Sequence, residues 1–181
     1  MKNRYCIVNF ATRSDFSVLT LLSSSIQKIL LEEKQIFNNI DVIEYNMPFF
    51  RSDNKEYKKS FYYQEMYKKI CSSNRYIFIF QEYHASFSSS IKCFLEWIDK
   101  DIWYLKYCFL ISCCGGQNSF NAINALFPVL IRLKIFIFPF YFVLSNIEKD
   151  YREEKKICLK KKNYIMLRER LMLFIEFESI V

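Results

Sequence analysis

A chain of 181 residues, 52% hydrophobic and 25% charged, is long enough to bury a sizeable core and too apolar to be intrinsically disordered. Only two residues are glycine, Gly115 and Gly116, and they are adjacent. That scarcity excludes collagen-like and flexible linker proteins, and the absence of an internal repeat excludes solenoids and propellers. The formal net charge is +7, of which +5 falls in residues 149–170, where nine Lys/Arg face four acids.

Strand and helix patterns alternate along the chain. RYCIVNF (4–10) reads as a short apolar strand. From Ser17, the positions Leu19, Leu22, Ile26, Ile29 and Leu30 fall on one helical face, and the charged run at 32–34 closes it. DVIEY (41–45) is the expected second strand, followed by a polar loop at Met47-Pro48. Residues 57–73 predict a helix with Tyr63, Met66 and Ile70 inward, and YIFIF (76–80) is the continuous apolar run of a central parallel strand. A helix over 86–99 with an apolar face of Ile91, Phe94, Leu95 and Ile98 precedes a fourth strand, YCFLIS (107–112). Residues 118–132 predict a helix that Pro128 must kink or divide. KIFIFPFYF (134–142) is the expected fifth strand, whose Pro139 suits a sheet edge. A last helix carries Leu167, Leu171 and Phe174 at helical spacing.

Five strands alternating with helices imply βαβ units and a parallel sheet covered on both faces. The expected organisation is one domain over residues 1–181, with a core at 4–147 and a basic C-terminal segment at 148–181. The seven cysteines (6, 71, 93, 108, 113, 114 and 158) contain no C-x-x-C pair, and the chain has one histidine. Free thiols in a reducing cytoplasm are therefore expected, and no metal centre. No secretory signal is visible at the N-terminus. Residues 123–147 are strongly apolar, but Arg132 and Lys134 split them into pieces too short to cross a bilayer, so a buried helix end and a buried strand are expected there. The basic segment reads as a solvated helix face, and with no supporting motif nucleic acid is not an expected partner.

In a parallel sheet, ligands bind beyond the carboxyl ends of the strands, at the topological switch point. Three polar, small-residue loops lie there. The first, Ala11-Thr12-Arg13-Ser14-Asp15-Phe16-Ser17, leads hydroxyls at 12, 14 and 17 into a helix N-terminus, which attracts anions; ordinary N-capping by Ser14 or Ser17 is the plainer reading. The second runs Gln81-Glu82-Tyr83-His84-Ala85-Ser86. The third, Ser112-Cys113-Cys114-Gly115-Gly116, brings the glycine pair to a strand end, where backbone N–H groups can approach a flat or anionic ligand closely, or simply form a tight turn. Cys113 and Cys114 read as small uncharged hydrophobes and not as reactive thiols.

These loops resemble those of the NADPH-dependent FMN reductases. That family's first loop, G-S-x-[RS]-x-x-S, is met by ATRSDFS. Its second, [PA]-E-[YH]-N-G-S followed by [LF]-K-N-x-x-D-W, corresponds to QEYHASFSSSIKCFLEW, in which Glu82, Tyr83, Ser86, Lys92 and Trp97 match outright and Glu96 replaces Asp. Its S-x-G-G is met by Ser112, Gly115 and Gly116 with one extra residue between, and Met47-Pro48-Phe49-Phe50 echoes its turn after strand two. The resemblance spans roughly residues 4–147 and implies a flavodoxin-like three-layer αβα sandwich with a five-stranded parallel sheet in the order 2-1-3-4-5. It further implies that Thr12, Ser14 and Ser17 hold the FMN phosphate, that Glu82, Tyr83, His84 and Ala85 line the flavin edge, and that Ser112, Gly115 and Gly116 lie near the ring. NADPH or NADH would be co-substrate and a small molecule the electron acceptor, the protein assembling as a homodimer or homotetramer with no catalytic side chain. The sequence departs from the family at Ala11, His84 and Ala85, where the family has Gly, Asn and Gly, and at Leu19, where the family commonly has Asn. Those departures motivate a second expectation, a flavodoxin-like binding or interaction protein that no longer binds FMN. A membrane-associated protein using residues 123–147 and the basic tail is a third.

Overall fold

The computed structural model describes residues 4–12, 17–116, 120–147 and 159–177. Strand β1 (Arg4–Asn9) pairs in parallel with β2 (Ile36–Asp41) on one side and β3 (Arg75–Tyr83) on the other, and β3 pairs in parallel with β5 (Tyr107–Cys113). The far edge is shared by two short strands, β6 (Phe136–Ile137) and β7 (Phe142–Leu144), both parallel to β5. The order is therefore β2-β1-β3-β5 and then β6 with β7, which is the expected 2-1-3-4-5 arrangement with its last strand in two pieces. Pro139, which has no N–H to give a ladder, stands in the gap between those pieces.

Alternate residues of each strand face opposite layers. Cys6, Val8 and Phe10 point to a layer containing α3 (Phe61–Cys71), α4 (Ser89–Trp97) and α5 (Phe120–Arg132). Tyr5 and Ile7 point to a layer containing α1 (Val18–Glu32) and the C-terminal helix α6 (Lys161–Glu176). The helical faces read from spacing are the buried ones: Leu19, Leu22, Ile26, Ile29 and Leu30 on α1, Met66 and Ile70 on α3, and Leu167, Leu171 and Phe174 on α6. Helix α5 runs through Pro128 undivided. Residues 123–147 thus form the end of α5 and the two edge strands, and among the described residues no helix is long and apolar enough to cross a membrane.

Three boundaries differ from expectation. The second strand is Ile36–Asp41, and Val42–Tyr45 is a 3-10 helix whose Val42 and Tyr45 are buried, which is why DVIEY reads as apolar and β-rich. The helix expected over 57–73 is divided into α2 (Glu56–Lys59) and α3 because Ser60 caps α3, its side chain accepting from Tyr63 N at 3.2 Å. The helix expected from 86 starts at Ser89, since Ser86–Phe87 is the antiparallel strand β4 of a hairpin with the end of β3.

Candidate functional site

Because β1 sends the chain to β2 on one side and β3 lies on its other side, the sheet reverses winding direction between β1 and β3, and the carboxyl ends there open a crevice. Phe10, fully buried, anchors the chain leaving β1: its ring meets Phe78 and Phe94 edge-on at 5.2 and 5.3 Å, and its N–H donates to Ile79 O at 2.9 Å. Edge-to-face pairs contribute about 1 kcal/mol each beyond burial. The start of the first loop is therefore fixed against both β3 and α4. Thr12 follows, with its Oγ1 hydrogen-bonded to Tyr83 Oη at 2.9 Å, and that hydroxyl also donates to Gln81 Oε1 at 3.3 Å. One hydrogen bond thus ties the first loop to the hairpin.

The hairpin pairs Glu82 with Phe87 and Tyr83 with Ser86, leaving His84 and Ala85 as its two-residue turn. Both have positive φ, 49° and 58°, as a type I′ turn requires at both central positions. Glu82 turns its carboxylate away from the hairpin tip and accepts from Ala122 N at 3.1 Å, in the first turn of α5. There it satisfies a backbone donor that the helix itself cannot.

At the end of β5, Ser112 is fully buried and Cys113 nearly so, with the Cys113 thiol directed at Phe80 O at 3.6 Å. Burial, with Cys114 adding to it, pushes the Cys113 thiol far above its ordinary pKa, so it stays protonated and inert at neutral pH. Cys114 N donates to Leu144 O at 3.1 Å and Asn146 N to Gly116 O at 2.7 Å, which fastens the glycine loop to β7. Neither glycine has positive φ, so left-handed backbone is not what retains them. At Gly116 an added Cβ would meet no atom of the described residues within 4 Å, so neither torsion nor crowding accounts for that glycine.

Of the ten residues expected from sequence, Ser14 lies outside the described residues. Thr12 and Tyr83 are brought into contact. Ser17 is the N-cap of α1, its Oγ accepting from Thr20 N at 3.3 Å, as the plainer sequence reading had it. His84 and Ala85 are exposed at the hairpin tip, and Ser112 is internal beneath the glycine loop.

A neighbouring cleft of about 450 Å³ went unassigned in the sequence. Apolar side chains of Val42, Ile43, Met47, Pro48, Phe49 and Cys93 line it, together with the polar Thr12, Asn46, Ser89 and Ser90. It falls within the ~300–1,000 Å³ usual for small-molecule sites. Its far wall is held by Pro48 O, which accepts from Trp97 Nε1 at 2.8 Å and Cys93 Sγ at 3.1 Å. Of the ten expected residues only Thr12 borders it. The Met47-Pro48-Phe49 turn and the serines opening α4 were the available signals, but nothing local says that they face one another. No group of three or more metal-ligating side chains occurs among the described residues.

The sequence pattern described as NADPH-dependent FMN reductase matches residues 17–149. No curated protein is a match in sequence. Solved structures of the same fold include an apo NADH:FMN oxidoreductase (EMOB), 14% identical, with TM-score 0.73 and 96% of this chain and 89% of that one aligned. FerB, an NAD(P)H:(acceptor) oxidoreductase from Paracoccus denitrificans, is 18% identical, with TM-score 0.69 and 97% and 96% covered. An NAD(P)H:quinone oxidoreductase from Methanothermobacter marburgensis is 12% identical, with TM-score 0.67 and 98% and 100% covered.

Proposed function

Since the chain belongs to the NADPH-dependent FMN reductase family, we propose that it is an NAD(P)H-dependent flavin or quinone reductase that uses bound FMN to pass electrons to a small acceptor. FMN supplies the hydride chemistry when bound, and the protein supplies binding, orientation and electrostatics. What supports this reading is that the first loop and the β3–β4 hairpin lie at one sheet edge, tied by the Thr12–Tyr83 hydrogen bond, with the glycine loop following β5, the next strand of the sheet.

The residues present fit the cofactor. The N-terminal end of α1 is a 15-residue helix dipole suited to a phosphate, and Thr12, Ser14 and Ser17 are the hydroxyls assigned to it. Glu82, Tyr83, His84 and Ala85 would border the ring, with Ser112, Gly115 and Gly116 on its other side. Glu82 does so through the backbone, because its carboxylate is committed to α5. NADPH is taken as the reductant by family, and NADH is the alternative. A homodimer or homotetramer is proposed, in a reducing cytoplasm that suits the six described cysteines, all free thiols.

The test is titration of the purified protein with FMN, followed by addition of NADPH or NADH. Quenched flavin fluorescence and nucleotide-dependent bleaching of the bound flavin are the expected results. Unchanged fluorescence and an unchanged melting temperature at saturating FMN would overturn the reading in favour of a binding protein that has lost the cofactor, the reading that Ala85 at positive φ favours.

A further inference from the structure

The cleft between the segment after β2 and the first turns of α4 has walls fixed from behind. One wall is the 3-10 turn Val42–Tyr45 and the residues that follow it to Phe49. Tyr45, 3% exposed, anchors that turn: its hydroxyl accepts from Lys69 Nζ at 2.8 Å, and its carbonyl accepts from Tyr57 Oη at 2.9 Å. Lys69 is itself paired with Glu65 at 2.7 Å, so the charges behind the wall neutralise each other. The opposite wall is α4, with Ser89, Ser90 and Cys93. Pro48 O, accepting from both Trp97 Nε1 and Cys93 Sγ, joins the two walls, and the Phe50 ring meets Trp97 edge-on at 5.2 Å. A cleft held in this way is formed before any ligand arrives, as small-molecule sites usually are.

The chemistry of the lining selects the occupant. The chain carries a net charge of +7, yet none of the described lining residues is charged. Burial raises the Cys93 thiol above its ordinary pKa, so it too is neutral at pH 7. A charged ligand would lose its hydration here without gaining a counter-ion, which is costly. Val42, 4% exposed, with Met47 and Pro48 gives an apolar floor, while Asn46 and Ser89 offer an exposed amide and hydroxyl. The Phe49 ring is 84% exposed, more than any other large apolar side chain described, and presents its face to a flat partner. We propose that this cleft is a ligand site separate from the flavin, taking an uncharged, flat aromatic molecule that bears a hydroxyl or carbonyl group. The ring lies between Phe49 and the apolar floor, and the oxygen meets Asn46 and Ser89.

The test compares 2-naphthol with 2-naphthoate, one ring system carrying a neutral hydroxyl or a carboxylate, by fluorescence titration and equilibrium dialysis. Wild-type protein should bind 2-naphthol saturably and 2-naphthoate at least about tenfold more weakly, against the attraction that a net positive charge exerts on an anion. Phe49→Ala, at an exposed position, should weaken 2-naphthol about fivefold by removing the ring contact. Asn46 has φ 44°, so Asn46→Gly keeps the backbone and removes only the amide; it should weaken 2-naphthol about fivefold. Ile43→Lys places a cation in the lining at a residue 36% exposed, and should reverse the preference in favour of 2-naphthoate. Thr12 borders both the cleft and the residues assigned to FMN, so FMN is also added at saturation; 2-naphthol affinity should stay within about twofold. Equal or tighter binding of 2-naphthoate by the wild type, no binding of either probe, or variants that leave the preference and affinity unchanged would overturn the proposal. Displacement of 2-naphthol by FMN would place the probe in the flavin site and overturn it too. Loss of 2-naphthol binding as protein concentration rises, with sedimentation showing a dimer, would assign the cleft to a second copy of the chain instead. Failure to bind FMN would overturn the FMN reading alone, because the probe titrations need no cofactor.

Discussion

His84 and Ala85 carry the backbone strain of the candidate site. A side chain in the left-handed region brings Cβ close to the following carbonyl oxygen and costs roughly 1–2 kcal/mol in non-glycine residues, less for short polar side chains. At φ 58° Ala85 bears that cost, whereas Ala11, the other place where the resembling family has glycine, does not have positive φ. The two alanines should therefore respond to glycine with opposite signs. Ala85→Gly is expected to raise stability by about 1 kcal/mol, read as a higher denaturant midpoint at unchanged slope. Ala11→Gly is expected to lower it by up to about 1 kcal/mol, because it only adds freedom to the unfolded chain. Equal responses from both would show that the turn is not what strains the hairpin. The sequence named these positions together, and only the torsion angles separate them.

At the scale of elements, left-handed turns occur without glycine elsewhere too. Lys34 and Lys134, at φ 53° and 60°, follow α1 and α5, where N–H groups of 35 and 135 reach back to Leu30 O and Leu130 O. These are helix ends that glycine usually provides. The helices themselves were readable because 3.6-residue apolar spacing needs no partner to be recognised. The second strand was not: IFNNID looks polar because Asn38 and Asn39 face other polar groups, Asn38 donating to Lys69 O and Ser72 Oγ, and those partners are distant in sequence. The hairpin was missed for a different reason: its pairing is local, but the His-Ala turn lacks the Asn-Gly signature. One consequence of the hairpin is that it carries Glu82 to the N-terminus of α5. Glu82→Ala should cost about 1–2 kcal/mol by leaving Ala122 N–H without its acceptor, and Glu82→Gln less, because its amide oxygen still accepts. Denaturation of the two variants, with amide exchange along α5, checks this. Equal losses would show that charge, and not acceptance at Ala122 N–H, is what the helix end requires.

Across the whole molecule, the layer opposite the cleft is completed from the far end of the chain. Helix α6 covers the sheet beside α1 with Leu167, Leu171 and Phe174, a face plain from spacing. What holds its end was not plain. Arg75 opens β3 and is fully buried, its guanidinium donating to Phe174 O at 2.6 Å and to Phe177 O, at the carboxyl end of α6. The rings of Tyr107, Phe174 and Phe177 surround it at 5.3, 5.3 and 5.9 Å from the guanidinium carbon. Burial lowers its pKa from the usual arginine range, but guanidinium holds its proton so tightly that it is expected to stay charged. A cation at a helix C-terminus meets the negative end of the dipole, and here it also fills the two carbonyl positions that the helix leaves open. Arg75→Ala should therefore cost about 3 kcal/mol, combining lost charged hydrogen bonds with lost packing of the stem. Arg75→Lys should recover only part of that, because a single ammonium cannot reproduce the planar fork. The loss should first appear as faster amide exchange and proteolysis within α6, before β1 and β3 open. If Arg75→Ala instead unfolded the sheet and α6 together, the buried cation would be holding the sheet's amino-terminal edge and not the helix.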